Sequence, residues 1–149
     1  MRVVLQRVRS ASVRVDGATV GSIDHGLVAL VGVTHADTLA DVRWMAEKLV
    51  QIRVFSDVDG KMNLSVTDVA GSILVVSQFT LYGALPKGTR PSYTDAARPD
   101  VAEPLYEHLL ATLRSITTVP IACGIFGAMM EVELVNDGPV TIILERETP

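Results

Sequence analysis

Two hydroxyls and a side-chain amide stand together in the run Ser77-Gln78-Phe79-Thr80-Leu81-Tyr82. The run follows Ile73 to Val76, the most strand-like piece of the sequence, and precedes a loop rich in glycine, proline and basic residues at 83–91. A buried strand delivers backbone N–H groups, hydroxyls and an amide to a defined place, and the loop after it can meet a ligand. Groups of this kind can hold a labile ester and stabilise an oxyanion, but they suit the breaking of an amide poorly. Thr80 is placed to act as a nucleophile or to orient water, with no evident base beside it. The plainer alternative is that Ser77 and Thr80 merely end a strand, because a short hydroxyl motif transfers poorly between folds.

Lys87-Gly88-Thr89-Arg90-Pro91 puts two cations beside glycine and proline, which suits one or two phosphates. As a bare motif it is more often a solvated turn. In an acidic chain it implies a small footprint on RNA, such as a terminus, with salt-sensitive affinity. Asn136-Asp137-Gly138-Pro139 reads either as a hairpin turn with proline opening an edge strand or as a fixed cis peptide whose carbonyls line a pocket. Gly124 to Ala128 forms a second glycine-rich turn.

Other chemistries lack their motifs. Ser77 lies in Val-Ser-Gln-Phe rather than between glycines, so there is no nucleophile elbow. A His-x-x-x-His pair, a Walker loop and a Rossmann fingerprint are also missing, and neither metal nor cofactor is expected. Asp57-Val58-Asp59-Gly60 begins like a calcium loop without its third acidic position or distal glutamate, and reads as an Asp-Gly turn. His35 reads as a turn or capping residue, His108 as a surface residue and Cys123 as a small buried hydrophobe.

The elements that must position these groups are drawn from 149 residues, enough for one domain with a real core. Hydrophobic residues make up 48% with only 5% aromatics, a content carried by Val, Leu, Ile and Ala. That favours β-structure and leaves apolar surface for an oligomer to cover. The net charge of −4 excludes a generally basic nucleic-acid binder, so any phosphate contact must be local. A lone cysteine suits a reducing compartment. Met1 to Leu5 has no long apolar core before Gln6 and Arg7, so neither a signal peptide nor a membrane span is read there, and the expected location is cytoplasmic.

In chain order, Val3, Leu5 and Val8 change parity with Ala11, Val13 and Val15, which predicts two strands or one strand bulged near Ser10. Asp16-Gly17 turns the chain into a partner strand from Thr19 to Ile23. Arg7 and its neighbours Arg9 and Arg14 suit a solvated face, though Arg7 has the donors to brace a buried loop. Gly26 to Val33 reads as a central strand buried on both faces. Asp37 or Thr38 caps a helix to about Val50 with Leu39, Val42, Met45 or Ala46, and Leu49 on one face. Strands follow at Ile52 to Phe55, Met62 to Val66 and Ile73 to Gln78.

A second helix runs from about Asp100 to Arg114, its start fixed by Pro104, with Ala102, Leu105, Tyr106, Leu109 and Leu113 inward. Val119 to Ala122, Met130 to Val135 and Val140 to Leu144 complete the strands. The order predicts one α/β domain over 1–149, a mixed sheet in barrel-like layers with both helices on one face.

Five segments in order, QRVRSASV from Gln6, DGKMNLSV from Asp59, VSQFTLY from Val76, KGTRPS from Lys87 and NDGPVT from Asn136, together resemble the D-aminoacyl-tRNA deacylases, also called D-tyrosyl-tRNA(Tyr) deacylases. They span nearly the whole chain. The resemblance implies a homodimeric hydrolase that cleaves the ester between a D-amino acid and the 3′-terminal adenosine of tRNA, in chiral proofreading of translation. It implies that Ser77, Gln78, Phe79, Thr80 and Leu81 form one wall of the pocket, with Thr80 positioning or supporting the oxyanion and the tRNA 2′-hydroxyl helping to activate water.

Gly138-Pro139 would then be a cis peptide inserted into the partner subunit's site, rejecting L-amino acids and letting glycine through, with Arg7 locking the turn. Phe126, Gly127, Ala128 and Met130 would lie around the adenosine or aminoacyl group, and Lys87 and Arg90 would meet tRNA phosphate. Cys123 and Met129 depart from the family pattern, which usually has threonine and commonly aspartate there. A non-catalytic RNA- or DNA-binding module of the same fold is the alternative; the Gly-Pro turn has no evident use in it.

Overall fold

The structure is a computed structural model and describes residues 1–146. Its elements are β1 (Arg2–Val15), β2 (Ala18–Ile23), β3 (Gly26–Gly32), α1 (Leu39–Gln51), β4 (Phe55–Ser56), β5 (Met62–Leu64), β6 (Ser72–Ser77), a 3-10 turn (Phe79–Tyr82), α2 (Pro99–Ile116), β7 (Ile121–Cys123) and β8 (Glu131–Glu145).

The main sheet has the order β2-β1-β3-β6-β7, with β8 on the other edge of β1. Pairing with β1 is antiparallel, whereas β3–β6 and β6–β7 are parallel, so the sheet is mixed. The two parallel joins are the connections that α1 and α2 cross, as an open parallel pair requires a helix-length crossover. β1 is long enough to pair with β3 through its first half and β2 through its second, while β8 runs along its opposite edge.

Alternation in the strands separates two apolar faces. Val3, Leu5, Leu27, Ala29, Val31, Ile73 and Val75 pack against Val42, Met45 and Leu49 of α1 and Tyr106, Leu109 and Leu113 of α2. Both helices therefore lie on one face. The opposite face gathers Val8, Ala11, Val13, Ile23, Val28, Leu74 and Val76 where the sheet curls on itself. The curl brings β2 against β7 so closely that a Cβ on Gly21 would stand 2.6 Å from the Cys123 carbonyl oxygen. A nearly closed, barrel-like sheet results.

The parity change in β1 is a bulge at the expected place. Val8 pairs with Asn136 and Ser10 with Val135, leaving Arg9 as the extra residue. Other boundaries differ from the sequence reading. Ile52 does not open a strand, because its N–H closes α1 by donating to Lys48 O at 2.9 Å, and β4 is confined to Phe55–Ser56.

Leu39 is exposed rather than inward, since it sits on the rim of a shallow groove with Arg43, Trp44 and Arg146. In the first turn of α1, buried Asp41 accepts from Thr38 N at 2.8 Å and Thr38 Oγ1 at 2.9 Å, and pairs with Arg146 at 3.1 Å. Pro104 falls in the second turn of α2, where proline costs about 3 kcal/mol in a helix interior. Burial of Tyr106, Leu109 and Leu113, worth roughly 1.5–3 kcal/mol per large side chain, outweighs it.

Of the two readings of 136–139, the hairpin turn fails and the cis peptide is present. Asn136 to Pro139 is not a hairpin turn, because β8 continues through it and both halves pair with β1. Gln6 pairs with Thr141 and Val8 with Asn136, so residues 137–140 have no partner on β1 and arch out opposite Arg7. The Gly138–Pro139 peptide within the arch is cis.

Candidate active site

A cavity of about 700 Å³ opens where the C-terminal ends of β3 and β6 meet the N-terminal half of α2. That is a volume suited to a small-molecule-sized group. Ser77, Gln78, Phe79 and Thr80 form one wall, and Phe126, Gly127, Ala128 and Met130 form the facing one. The first wall arises because β6 ends at Ser77 and the chain tightens into the 3-10 turn, turning Phe79 and Thr80 outward. The second belongs to the turn between β7 and β8.

Polar groups in the first wall are tied to the sheet and to each other. Gln78 N donates to Val31 O at 2.7 Å, fixing the exit of β6 against β3. The Gln78 side-chain amide donates to Thr80 Oγ1 at 2.6 Å. Beneath both walls, the carbonyl oxygen of Val75 accepts from Gly124 N at 3.1 Å and from the buried Tyr106 hydroxyl at 3.1 Å. One backbone oxygen thus joins β6, the glycine-rich turn and α2. Burial drives the Tyr106 hydroxyl well above its usual tyrosine value, so it stays protonated and keeps donating.

A third side of the cavity was not legible as such. Tyr93, Ala97, Pro99, Ala102 and Tyr106 line it, together with Met129 beyond the glycine turn. The loop 93–97 is held to the end of β3 by Ala97 N to Val33 O at 2.9 Å and Thr34 Oγ1 to Asp95 O at 2.6 Å. His35 Nε2 meets Thr94 O at 2.8 Å, which makes His35 a loop tie. Tyr93 packs edge-on against Phe79 and Tyr106 lies tilted against Phe126, so aromatic pairs join neighbouring walls. The available signal was the small-residue spacing of Ala97 and Ala102, which leaves room beside a helix start.

Not every expected site residue comes to this cavity. Leu81 stands outside its lining, with its carbonyl oxygen accepting from Arg2 Nη1 at 2.6 Å. Lys87 and Arg90 are exposed on a loop closed by the paired bonds between Ala84 and Ser92. Gly138 and Pro139 are exposed on the β8 arch, and Arg7 lies beneath it, donating through Nε to Asp137 O at 2.9 Å and through Nη1 to Val54 O at 2.7 Å. Asp137 also faces the Arg7 guanidinium at 3.7 Å and that of Arg9 at 3.4 Å. The lining contains Met130 just before β8 and Val132 near its start, whereas the arch at Gly138 lies six residues beyond Val132, roughly 20 Å at ~3.3 Å per strand residue.

Chemically, the cavity is an apolar floor rimmed by hydroxyls, an amide and backbone groups. Among the described residues, no carboxylate, imidazole, thiol or amine lines it. No group of three or more His, Cys, Asp or Glu among the described residues could hold a metal ion.

The model of the family described as D-Tyr-tRNA(Tyr) deacylase matches residues 4–145. The chain belongs to that family. Among relatives of this deacylase family, a D-aminoacyl-tRNA deacylase of Geobacillus sp. (strain WCH70) is 59% identical over 99% of this chain and 96% of its own length. That of Exiguobacterium sibiricum is 58% identical, covering 98% of this chain and all of its own. A solved structure of a c-Myc DNA unwinding element binding protein superposes with a TM-score of 0.94 at 41% identity, covering 99% of this chain and 100% of that one. The family thus includes the whole fold described above, from β1 to β8.

Proposed function

We propose that the chain is a D-aminoacyl-tRNA deacylase, which hydrolyses the ester between a D-amino acid and the 3′-terminal adenosine of tRNA and acts in the cytoplasm. The observation that carries this reading is the cavity's composition: donors and hydroxyls over an apolar floor, without a titratable base among the described lining residues. Such a site suits an ester that is already reactive. Thr80, whose oxygen accepts the Gln78 amide bond, orients the ester or supports the oxyanion, and the vicinal 2′-hydroxyl of the terminal adenosine assists the attacking water. Ser77 and Gln78 share that wall, with Phe126 to Ala128 and Met130 facing them across the substrate. The names of the two bacterial relatives agree with this activity.

Chirality is read by a second copy of the chain. The arch at Gly138 and Pro139 is exposed and lies roughly 20 Å along β8 from its own cavity at ~3.3 Å per residue, so it serves a partner's site. Among the described residues β8 pairs only with β1, and its exposed Val132, Val135 and Ile143 give a homodimer apolar strand surface to cover. Inserted there, the arch leaves no room for the side chain of an L-amino acid, while glycine passes. Lys87 and Arg90 meet phosphates near the tRNA terminus.

A second reading, a nucleic-acid-binding module without turnover, draws on the DNA-binding name of the 41% identical structure. An apolar cavity and a net charge of −4 favour the hydrolase. Incubation with D-Tyr-tRNA and L-Tyr-tRNA separates the two: loss of the D-ester alone is expected. Equal rates on both esters, or binding with no loss of either, would overturn the chiral hydrolase.

A further inference from the structure

The arch in β8 has two fastenings, and the second involves Asn136. Its Oδ1 accepts from Val140 N at 2.8 Å, and its Nδ2 donates to Val140 O at 3.2 Å and to Thr141 Oγ1 at 3.2 Å. The side-chain amide thereby offers Val140 the acceptor and donor that a neighbouring strand would offer, in a stretch where residues 137–140 have no partner on β1. Val140 is buried, so its N–H has no solvent to turn to if the amide is removed. Gln6 Nε2 reaches the same Thr141 Oγ1 at 3.2 Å, which anchors the foot of the arch to β1.

Arg7 fastens the other foot at Asp137 O. Gly138 and Pro139 therefore stand between two clamps, one at residue 137 and one joining 136 to 140. Arg7 alone would hold only residue 137 and leave Pro139 and Val140 untied until Thr141 rejoins β1, because Pro139 has no N–H with which to bind back.

We propose that Asn136 is a positioning residue for the reaction: its amide closes the arch and sets the geometry with which Gly138 and Pro139 exclude L-aminoacyl groups. The inference rests on the reading that this arch serves a partner's cavity. Asn136 touches no substrate and acts through the turn, so its removal changes selectivity more than turnover of the D-ester.

The test compares wild type and Asn136→Ala for kcat/KM on D-Tyr-tRNA and L-Tyr-tRNA, alongside thermal unfolding. The expected result is a fall of about tenfold in the D-to-L ratio, equivalent to ~1.4 kcal/mol, through faster loss of the L-ester. A purely structural role would lower both rates by one factor and leave the ratio as it was, and that result overturns the proposal. Should Asn136→Ala not fold, Asn136→Asp is read instead. It keeps the acceptor for Val140 N, loses both Nδ2 bonds, to Val140 O and Thr141 Oγ1, and sets a carboxylate oxygen against the Val140 carbonyl, so a fall of at least about threefold is expected; an unchanged ratio again overturns the proposal. A wild type that fails to discriminate would count against the deacylase reading itself, whereas a discriminating wild type with a discriminating Asn136→Ala counts against Asn136 alone.

Discussion

The side-chain amide of Gln78 donates to Thr80 Oγ1 at 2.6 Å, so the threonine oxygen is already engaged as an acceptor where a nucleophile would need a base. Thr80→Ala should therefore keep measurable deacylation of D-Tyr-tRNA, reduced by about ten- to a hundredfold, as expected for loss of one charge-assisted bond worth ~1.5–3 kcal/mol to the reacting group. Single-turnover hydrolysis measures this. Complete loss with an unchanged unfolding midpoint would make Thr80 the nucleophile.

Arg7 joins two carbonyls, Asp137 O and Val54 O, with Val54 only 3% exposed. A lysine ammonium cannot span both. Arg7→Lys is expected to cost about 1–3 kcal/mol of stability, the range for leaving a buried acceptor unpaired, as read from denaturant unfolding. A change below 0.5 kcal/mol, the ordinary size of a surface substitution, would show that the bridge is dispensable.

Gly138 has φ +143, and a Cβ added there would lie 2.8 Å from Val140 Cγ2 and 2.9 Å from Val140 N. Gly138→Ala should destabilise the arch by about 1–3 kcal/mol, the usual cost of a side chain in so sparse a backbone region. The urea midpoint should fall with the slope unchanged. An unmoved midpoint contradicts the geometry.

Tyr106 gives a pH dependence with a definite sign. Its hydroxyl is raised by burial above the ordinary value of 10.0, so the unfolded chain releases this proton first. Stability contributed by the neutral hydroxyl is complete below pH 10 and declines as pH rises from there toward the folded value. Tyr106→Phe should lose about 1 kcal/mol at neutral pH, the net worth of a typical hydrogen bond, and show a shallower alkaline decline than wild type. Parallel alkaline profiles for the two proteins would refute this account.

Lys87 and Arg90 sit on an exposed loop tip where each can neutralise one phosphate. Replacing both with alanine should weaken tRNA binding and reduce the slope of log affinity against log salt by about 1.4, twice the ~0.7 per contact of single strands. Filter binding across a salt series reads the slope. No change in slope would move the phosphate contact elsewhere.

Much of the fold was legible because burial imprints itself on short patterns. The parity change between Val8 and Ala11 located the bulge in β1, and the unbroken apolar run from Gly26 marked β3 as the central strand. Ser77 to Thr80 could be placed at the end of β6 because a strand pattern stops there. What escaped depended on contacts between distant residues. Tyr106 looks like any inward helix residue until α2 meets the Val75 carbonyl, and Tyr93 and Ala97 reach the cavity only because their loop is tied to Val33 and Thr34. The residues 136–139 carry every local mark of a hairpin turn. Only the register with β1 turns them into an arch within one strand.

The Val75 carbonyl oxygen has a consequence for how this site tolerates mutation. It belongs to the main chain, so no codon change at 75 deletes it, and the side chain there can vary within the limits of the core. The backbone N–H groups of Gln78 against Val31 and of Gly124 against Val75 likewise survive every substitution except proline. A saturation scan of the gene should accordingly find its sharpest losses away from the reacting groups. They should fall at the positions where backbones approach closely or bend sharply, such as Gly21, where a Cβ would stand 2.6 Å from the Cys123 carbonyl oxygen, and Gly138, while hydroxyl-bearing positions stay comparatively quiet. Drift and resistance would then enter this pocket through its scaffolding.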